Sequence, residues 1–143
     1  MGNFIKRIMD HEGLRLQKYR DTEGNWTIGY GHKILPHEME RFAHEISKGE
    51  ATDLFLADIE RAIEKFRSIE KDLSLELNDV RRGVCIEMIY QMGVHGFRRF
   101  RKMITALIWD DWDSAADEML YSKWHEQTPK RCKELAEIMR YGK

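Results

Sequence analysis

Two prolines and two cysteines in 143 residues leave this chain with little proline to interrupt helices and little scope for covalent bracing. Scarce proline, set beside frequent Glu, Lys, Arg, Leu and Ile, predicts a mostly helical protein. Cys85 and Cys132 stand far apart, with neither a C-x-x-C pair nor a Cys/His spacing suited to zinc, so they read as buried free thiols. No apolar run approaches the ~18 residues of a membrane span, which argues against stable membrane association. The stretch before Glu12 also lacks the apolar segment of an export signal, because Lys6, Arg7 and Asp10 interrupt it. Internal repeats and low-complexity linkers are missing as well.

Net charge is another thing the chain has little of, at −1. With 42% apolar and 34% charged residues, the composition is that of an ordinary domain able to bury a core without staples. The charge is unevenly placed. Residues 1–77 hold 12 basic and 15 acidic side chains, and residues 78–143 hold 12 and 10. Arg81, Arg82, Arg98, Arg99, Arg101 and Lys102 give the second half a mildly basic character, open to an anionic polymer or simply to solvated helix faces.

Along the chain, Phe4, Ile5, Ile8 and Met9 recur at helical spacing and predict a short helix over 3–12 that ends at Gly13. The only β signal follows: alternation from Leu14, a turn at Asp21-Thr22-Glu23-Gly24-Asn25, then Trp26-Thr27-Ile28-Gly29-Tyr30-Gly31. Pro36 predicts a short helix through Ile46, broken by Gly49. A long helix over 50–72 carries Leu54, Phe55, Ile59, Ala62, Ile63 and Phe66 on one face. Val80, Val84, Ile86, Met88 and Ile89 mark an almost wholly apolar helix, and Gly93 and Gly96 punctuate its exit. Shorter helices are predicted over Phe97–Leu107, Trp112–Tyr121 and Pro129–Met139, with Trp112 and Trp124 in their core.

Glu12, Asp21 and Thr27 carry the chemistry that can be read from this pattern. Glycoside hydrolysis takes a carboxyl group that delivers a proton to the leaving oxygen and a second polar group that positions water. Glu12 falls at a helix C-terminus, where the partial negative charge suits a group that holds a proton for delivery. Asp21 falls in a polar turn that suits a carboxylate, and such separation of two environments marks an acid/base pair. Spacing alone would leave both as surface acids. The surrounding text decides: Glu12-Gly13-Leu14-Arg15-Leu16, Tyr19-Arg20-Asp21-Thr22-Glu23-Gly24 and Trp26-Thr27-Ile28-Gly29-Tyr30-Gly31-His32 resemble the bacteriophage lysozymes of glycoside hydrolase family 24, with their Glu-x8-Asp-x5-Thr pattern. Asp79-Val80-Arg81-Arg82 through Tyr90-Gln91-Met92-Gly93, and Ser122-Lys123-Trp124 with Gln127-Thr128-Pro129-Lys130-Arg131, extend the resemblance from about residue 4 to 140.

The resemblance implies an α+β, predominantly α fold of two lobes: a small β-containing lobe at 13–50, a bridging helix at 50–72, and a helical lobe at 77–143 joined by helix 3–12. It implies a muramidase acting on the β-1,4 glycan of bacterial peptidoglycan, inverting, with Glu12 as acid and Asp21 and Thr27 holding water. Tyr90 matches an aromatic set against the sugar; Gln91, Gly31 and Gln127 match cleft positions, and Glu23 and Lys123 match a polar pair near the peptide stem. Arg131, in the Thr-Pro-x-Arg pattern, is expected to pair with Glu12. His32 and Asp58 suggest a second ion pair. No metal or organic cofactor is expected, no nucleic-acid partner, and a monomeric state. Without an export signal, the expected site is the host cytoplasm, with holin-type release to the wall. Lys33, Phe100 and Glu118 depart from the family pattern, which bears on subsite affinity. A lytic transglycosylase, which needs only the glutamate, and an inactive glycan-binding module stay open as alternatives. A nucleic-acid-binding protein would explain the arginines but not the hairpin triad.

Overall fold

The structure is a computed structural model that describes residues 2–143, with side chains from Phe4 onward. Its order is α1 (Gly2–Glu12), β1 (Arg15–Arg20), β2 (Trp26–Gly29), β3 (His32–Lys33), a 3-10 turn (Pro36–Glu38), α2 (Lys48–Asp72), α3 (Asp79–Arg98), α4 (Arg101–Ile108), α5 (Trp112–Leu120), α6 (Lys123–Gln127) and α7 (Pro129–Tyr141). This is the mostly helical α+β class. Among the described residues no helix is long and apolar enough to cross a membrane. The chain divides into two compact units, one of Ile5–Arg61 and one of Ala62–Lys143 with the N-terminal stretch as far as Phe4.

In Ile5–Arg61 the three strands form an antiparallel sheet in the order β1-β2-β3. Register places Tyr19 opposite Thr27 and Arg20 opposite Trp26, so Tyr19 and Thr27 share one face while Arg20 and Trp26 share the other. An irregularity between Arg15 and Tyr19 shifts the pairing further along. Ile28 is fully buried, Phe42 and Phe55 nearly so, and the Tyr30 ring meets Phe55 edge-on at 5.6 Å. Burying side chains of this size stabilises the unit by about 2 kcal/mol each.

The predicted helix over Pro36–Ile46 is a single 3-10 turn followed by irregular turns. Only Phe42 and Ile46 of that stretch are buried against the core, too little to hold a short helix whose nucleation is unfavourable. Gly49 breaks nothing, because it lies in the first turn of α2. The start of that helix is set by a capping box: Ser47 Oγ accepts from Glu50 N–H at 3.0 Å, and Glu50 Oε1 accepts from Ser47 N–H at 3.3 Å.

In Ala62–Lys143 the apolar face of α3 is the centre of the core, with Val84, Ile86 and Met88 fully buried. Phe4 packs so closely on this helix that a Cβ at Gly83 would lie 2.9 Å from its own, which explains glycine there. Phe66 and Phe97 meet edge-on at 6.0 Å. Gly93, at φ 77° and ψ 170°, kinks α3 rather than ending it, and Phe97 belongs to the resumed helix. Trp124 is buried as expected, whereas Trp112 is half-exposed with the Arg81 guanidinium 4.1 Å over its ring. Cys85 and Cys132 are free and buried, and burial pushes both thiols well above the usual range.

Candidate active site

Glu12 closes α1, and its half-buried carboxyl group lies against the backbone of Gly31. A Cβ at Gly31 would stand 3.0 Å from Glu12 Cδ, and the residue also takes φ +78°. Both facts require glycine at this position. Gly31 therefore forms one side of the space that the Glu12 carboxyl group occupies.

Asp21 sits in the β1–β2 turn as a carboxylate held from three directions. Its Oδ1 accepts the N–H groups of Glu23 (2.9 Å) and Asn25 (2.8 Å), and its Oδ2 accepts the Asn25 side-chain amide at 3.3 Å. Slight burial raises the Asp21 pKa, but the Asn25 and Glu23 bonds, with the charge of Lys33, outweigh it and hold the group below the usual aspartate range. Lys33, which departs from the family pattern, thus supports the ionised state of Asp21. Thr27, 3% exposed on β2, donates its hydroxyl hydrogen to Asn25 O at 2.9 Å, so toward a third group it acts as an acceptor.

Tyr19 ties these residues together electrostatically. Burial raises its pKa first, and the charges of Glu12 and Asp21 raise it further against the opposing charge of Arg15. The phenol therefore lies within the field of both carboxyl groups, on the sheet face it shares with Thr27. Sequence reasoning passed over Tyr19 and Asn25, and read Lys33 only as a departure from the family pattern. Strand alternation would have paired Tyr19 with Thr27, and the Asp21-x3-Asn25 turn would have flagged Asn25. Glu23, by contrast, contributes its backbone to Asp21 and keeps an exposed side chain.

Beside this group, His32 is buried, with Nδ1 2.7 Å from Asp58 Oδ2 and Nε2 3.2 Å from Glu38 Oε1. The bond to Asp58 raises the histidine's pKa above its ordinary 6.5; burial opposes this, and the Asp58 charge and Glu38 reinforce it. Glu38 also accepts the Leu35 N–H at 3.0 Å, and Arg61 pairs with the other oxygen of Asp58. Glu38 was not read from the sequence.

In Ala62–Lys143, Gln91 Oε1 accepts the Trp124 indole N–H at 2.9 Å, and Gln91 Nε2 stands 3.5 Å from Thr128 Oγ1. The amide is thereby oriented by the core. Phe100 meets Trp124 edge-on at 6.1 Å, a packing role for one of the departures. Tyr90 is half-buried and Glu118 partly so, while Lys123 and Gln127 are exposed on α6. Arg131 donates from Nε to Glu87 Oε2 at 2.9 Å, and Glu87 is completely buried. That partner was also missed.

A helix-end carboxyl group set against glycine, a turn-held carboxylate and a strand threonine beside one small sheet are residue types that glycoside hydrolysis can use. The family model described as phage lysozyme matches residues 9–140, and the chain belongs to the phage lysozyme family. Membership implies peptidoglycan as substrate and muramidase activity. Two relatives are the probable T4-type lysozymes 2 and 1 of Dictyostelium discoideum, 33% and 31% identical over 92% and 99% of this chain and 89% and 96% of their own lengths. The pre-baseplate central spike protein Gp5 of Enterobacteria phage T4 is 34% identical over 92% of this chain but only 26% of its own length.

Proposed function

We propose that the protein hydrolyses the β-1,4 bonds between N-acetylmuramic acid and N-acetylglucosamine by a single displacement that inverts the anomeric carbon. Glu12 donates its proton to the leaving glycosidic oxygen as the C–O bond breaks. A water held by Asp21 and the Thr27 hydroxyl attacks the opposite face of the sugar, and Asp21 takes up the water's surplus proton. The observation that carries this reading is geometric: Asp21 is fixed in the β1–β2 turn by the N–H groups of Asn25 and Glu23, Thr27 donates to Asn25 O in the same turn, and the Glu12 carboxyl group lies against Gly31 after the next strand. Two bonds from backbone N–H groups and a third from the Asn25 side-chain amide suit a group that orients water more than one that must swing toward carbon.

Tyr90, Gln91, Gly31, Gln127, Glu23 and Lys123 are the proposed contacts to glycan and peptide stem, and Arg131 the proposed partner of Glu12. The protein is proposed to act as a monomer, reaching the wall from the host cytoplasm by holin-type release. Mass spectrometry of purified peptidoglycan after digestion tests the reaction. Muropeptides with reducing N-acetylmuramic acid ends are expected. Anhydro ends would transfer the assignment to a transglycosylase, and an undigested wall would leave only a binding module.

A further inference from the structure

The face of the sheet turned away from Tyr19 and Thr27 carries a feature that hydrolysis does not use. Trp26 lies there with two cations against its ring, Lys18 Nζ at 5.0 Å and Arg20 Cζ at 4.5 Å from the centroid. Arg20 is further placed by a bond from Nη1 to Gly24 O at 3.4 Å. Trp26 and Lys18 are half-buried and Arg20 is exposed. Contacts of this kind restrict two long side chains that would otherwise lose entropy on binding, so the charges are presented in a fixed arrangement.

Charge is segregated around this platform. Residues 15–33 carry four basic and two acidic side chains, whereas the remainder of Ile5–Arg61 carries five basic and nine acidic. Of those four, Arg15 stacks on Tyr19 and Lys33 pairs with Thr27 on the other face, so the Trp26 face carries the cation pair Lys18 and Arg20, which on an otherwise acidic unit favours anionic material there. The proposed substrate supplies such material, since peptidoglycan is a network whose stem peptides bear carboxylates on every strand.

Resting on the proposed action on peptidoglycan, we propose that Lys18 and Arg20, held by Trp26, bind stem-peptide carboxylates of a strand other than the one being cut. The face opposite Thr27 cannot reach the bond under attack, but it can engage a neighbour in the network. A second contact of this kind raises the local concentration of substrate without altering the chemistry.

The test is pelleting of Glu12→Gln protein with insoluble purified sacculi, compared with the same protein carrying Lys18→Gln and Arg20→Gln. Two exposed ion pairs predict a Kd weaker by about threefold to tenfold at low salt. The difference should vanish in roughly 0.5 M salt, and on sacculi whose stem-peptide carboxylates are converted to neutral amides with a carbodiimide, which leaves the network insoluble. Lys18→Gln alone, which keeps the Arg20–Gly24 bond, should show part of the effect and guards against a disturbed turn. An unchanged Kd in both variants would overturn the proposal, as would a difference that persists on the amidated sacculi, which would place the contact on glycan or phosphate. Failure of the hydrolase reading is separable: it would appear as no reducing ends released by the chain with Glu12 intact, whatever the pelleting shows.

Discussion

Ile5–Arg61 buries two polar side chains among its described residues, Thr27 and His32, and both are bound to turns or irregular segments beside a small sheet. Ala62–Lys143 buries one, Glu87, on the apolar helix α3. In the first unit Asp21 and Glu38 accept N–H groups of the irregular segments they sit in, and both are held below the usual carboxylate range. In the second, polar side chains serve the backbone mainly at helix ends, as Asn78 and Asp111 cap α3 and α5 and Arg81 donates to the carbonyls of Met139 and Arg140, while within it Gln91 accepts from Trp124. The shifted groups of the first unit, Tyr19, Asp21, His32 and Glu38, thus lie on its sheet and in its turns, whereas the thiols with raised pKa values in the second, Cys85 and Cys132, are buried on its helices.

The largest expected effect lies in the first unit. Glu12→Gln keeps the shape of the acid and removes its proton, so lysis of a Gram-negative suspension should fall by about 10²–10⁴-fold or more with the melting temperature little changed. Near-normal clearing would show that the chemistry resides elsewhere. The helical unit should answer in stability instead. Glu87→Ala removes one side of a buried ion pair with Arg131 and is expected to cost about 3 kcal/mol in denaturant unfolding. A cost below about 0.5 kcal/mol, typical of surface changes, would contradict the contrast between the units.

A smaller effect separates the units by pH. Because the folded-state pKa of His32 is raised, its contribution is fully present below the unfolded value near 6.5 and is lost as pH rises through the folded value. Asp58→Asn should lower the melting temperature at about pH 5 and have less effect at about pH 10. Equal losses at both would mean that the pair adds packing and not charge.

The contrast also explains what was legible from residues alone. Glu12 was placed at a helix end because Phe4, Ile5, Ile8 and Met9 keep period and Gly13 stops it. The sheet was visible because Trp26–Gly31 alternates after a turn-forming run. Residues 36–46 misled because Pro36 imitates a helix start, whereas Glu38 spends its side chain on Leu35 and His32. Helix α6 escaped notice because five residues are too few to show a period, although Ser122 caps it by accepting the His125 N–H at 3.3 Å. Within the site, residues that bind through side chains at fixed spacing were readable. Gly31 as a wall, Lys33 as support for Asp21 and Glu87 behind Arg131 depend on tertiary approach, which no local pattern encodes.

In the proposed mechanism Asp21 and Thr27 hold the water that Glu12's proton transfer makes productive. Proton NMR of a β-linked glycan substrate, recorded within the first turnovers and before mutarotation, tests it most directly. The product's new reducing end should appear first as the α-anomer. An initial β-anomer would contradict the account, because it would require an attacking group on the protein in place of the water.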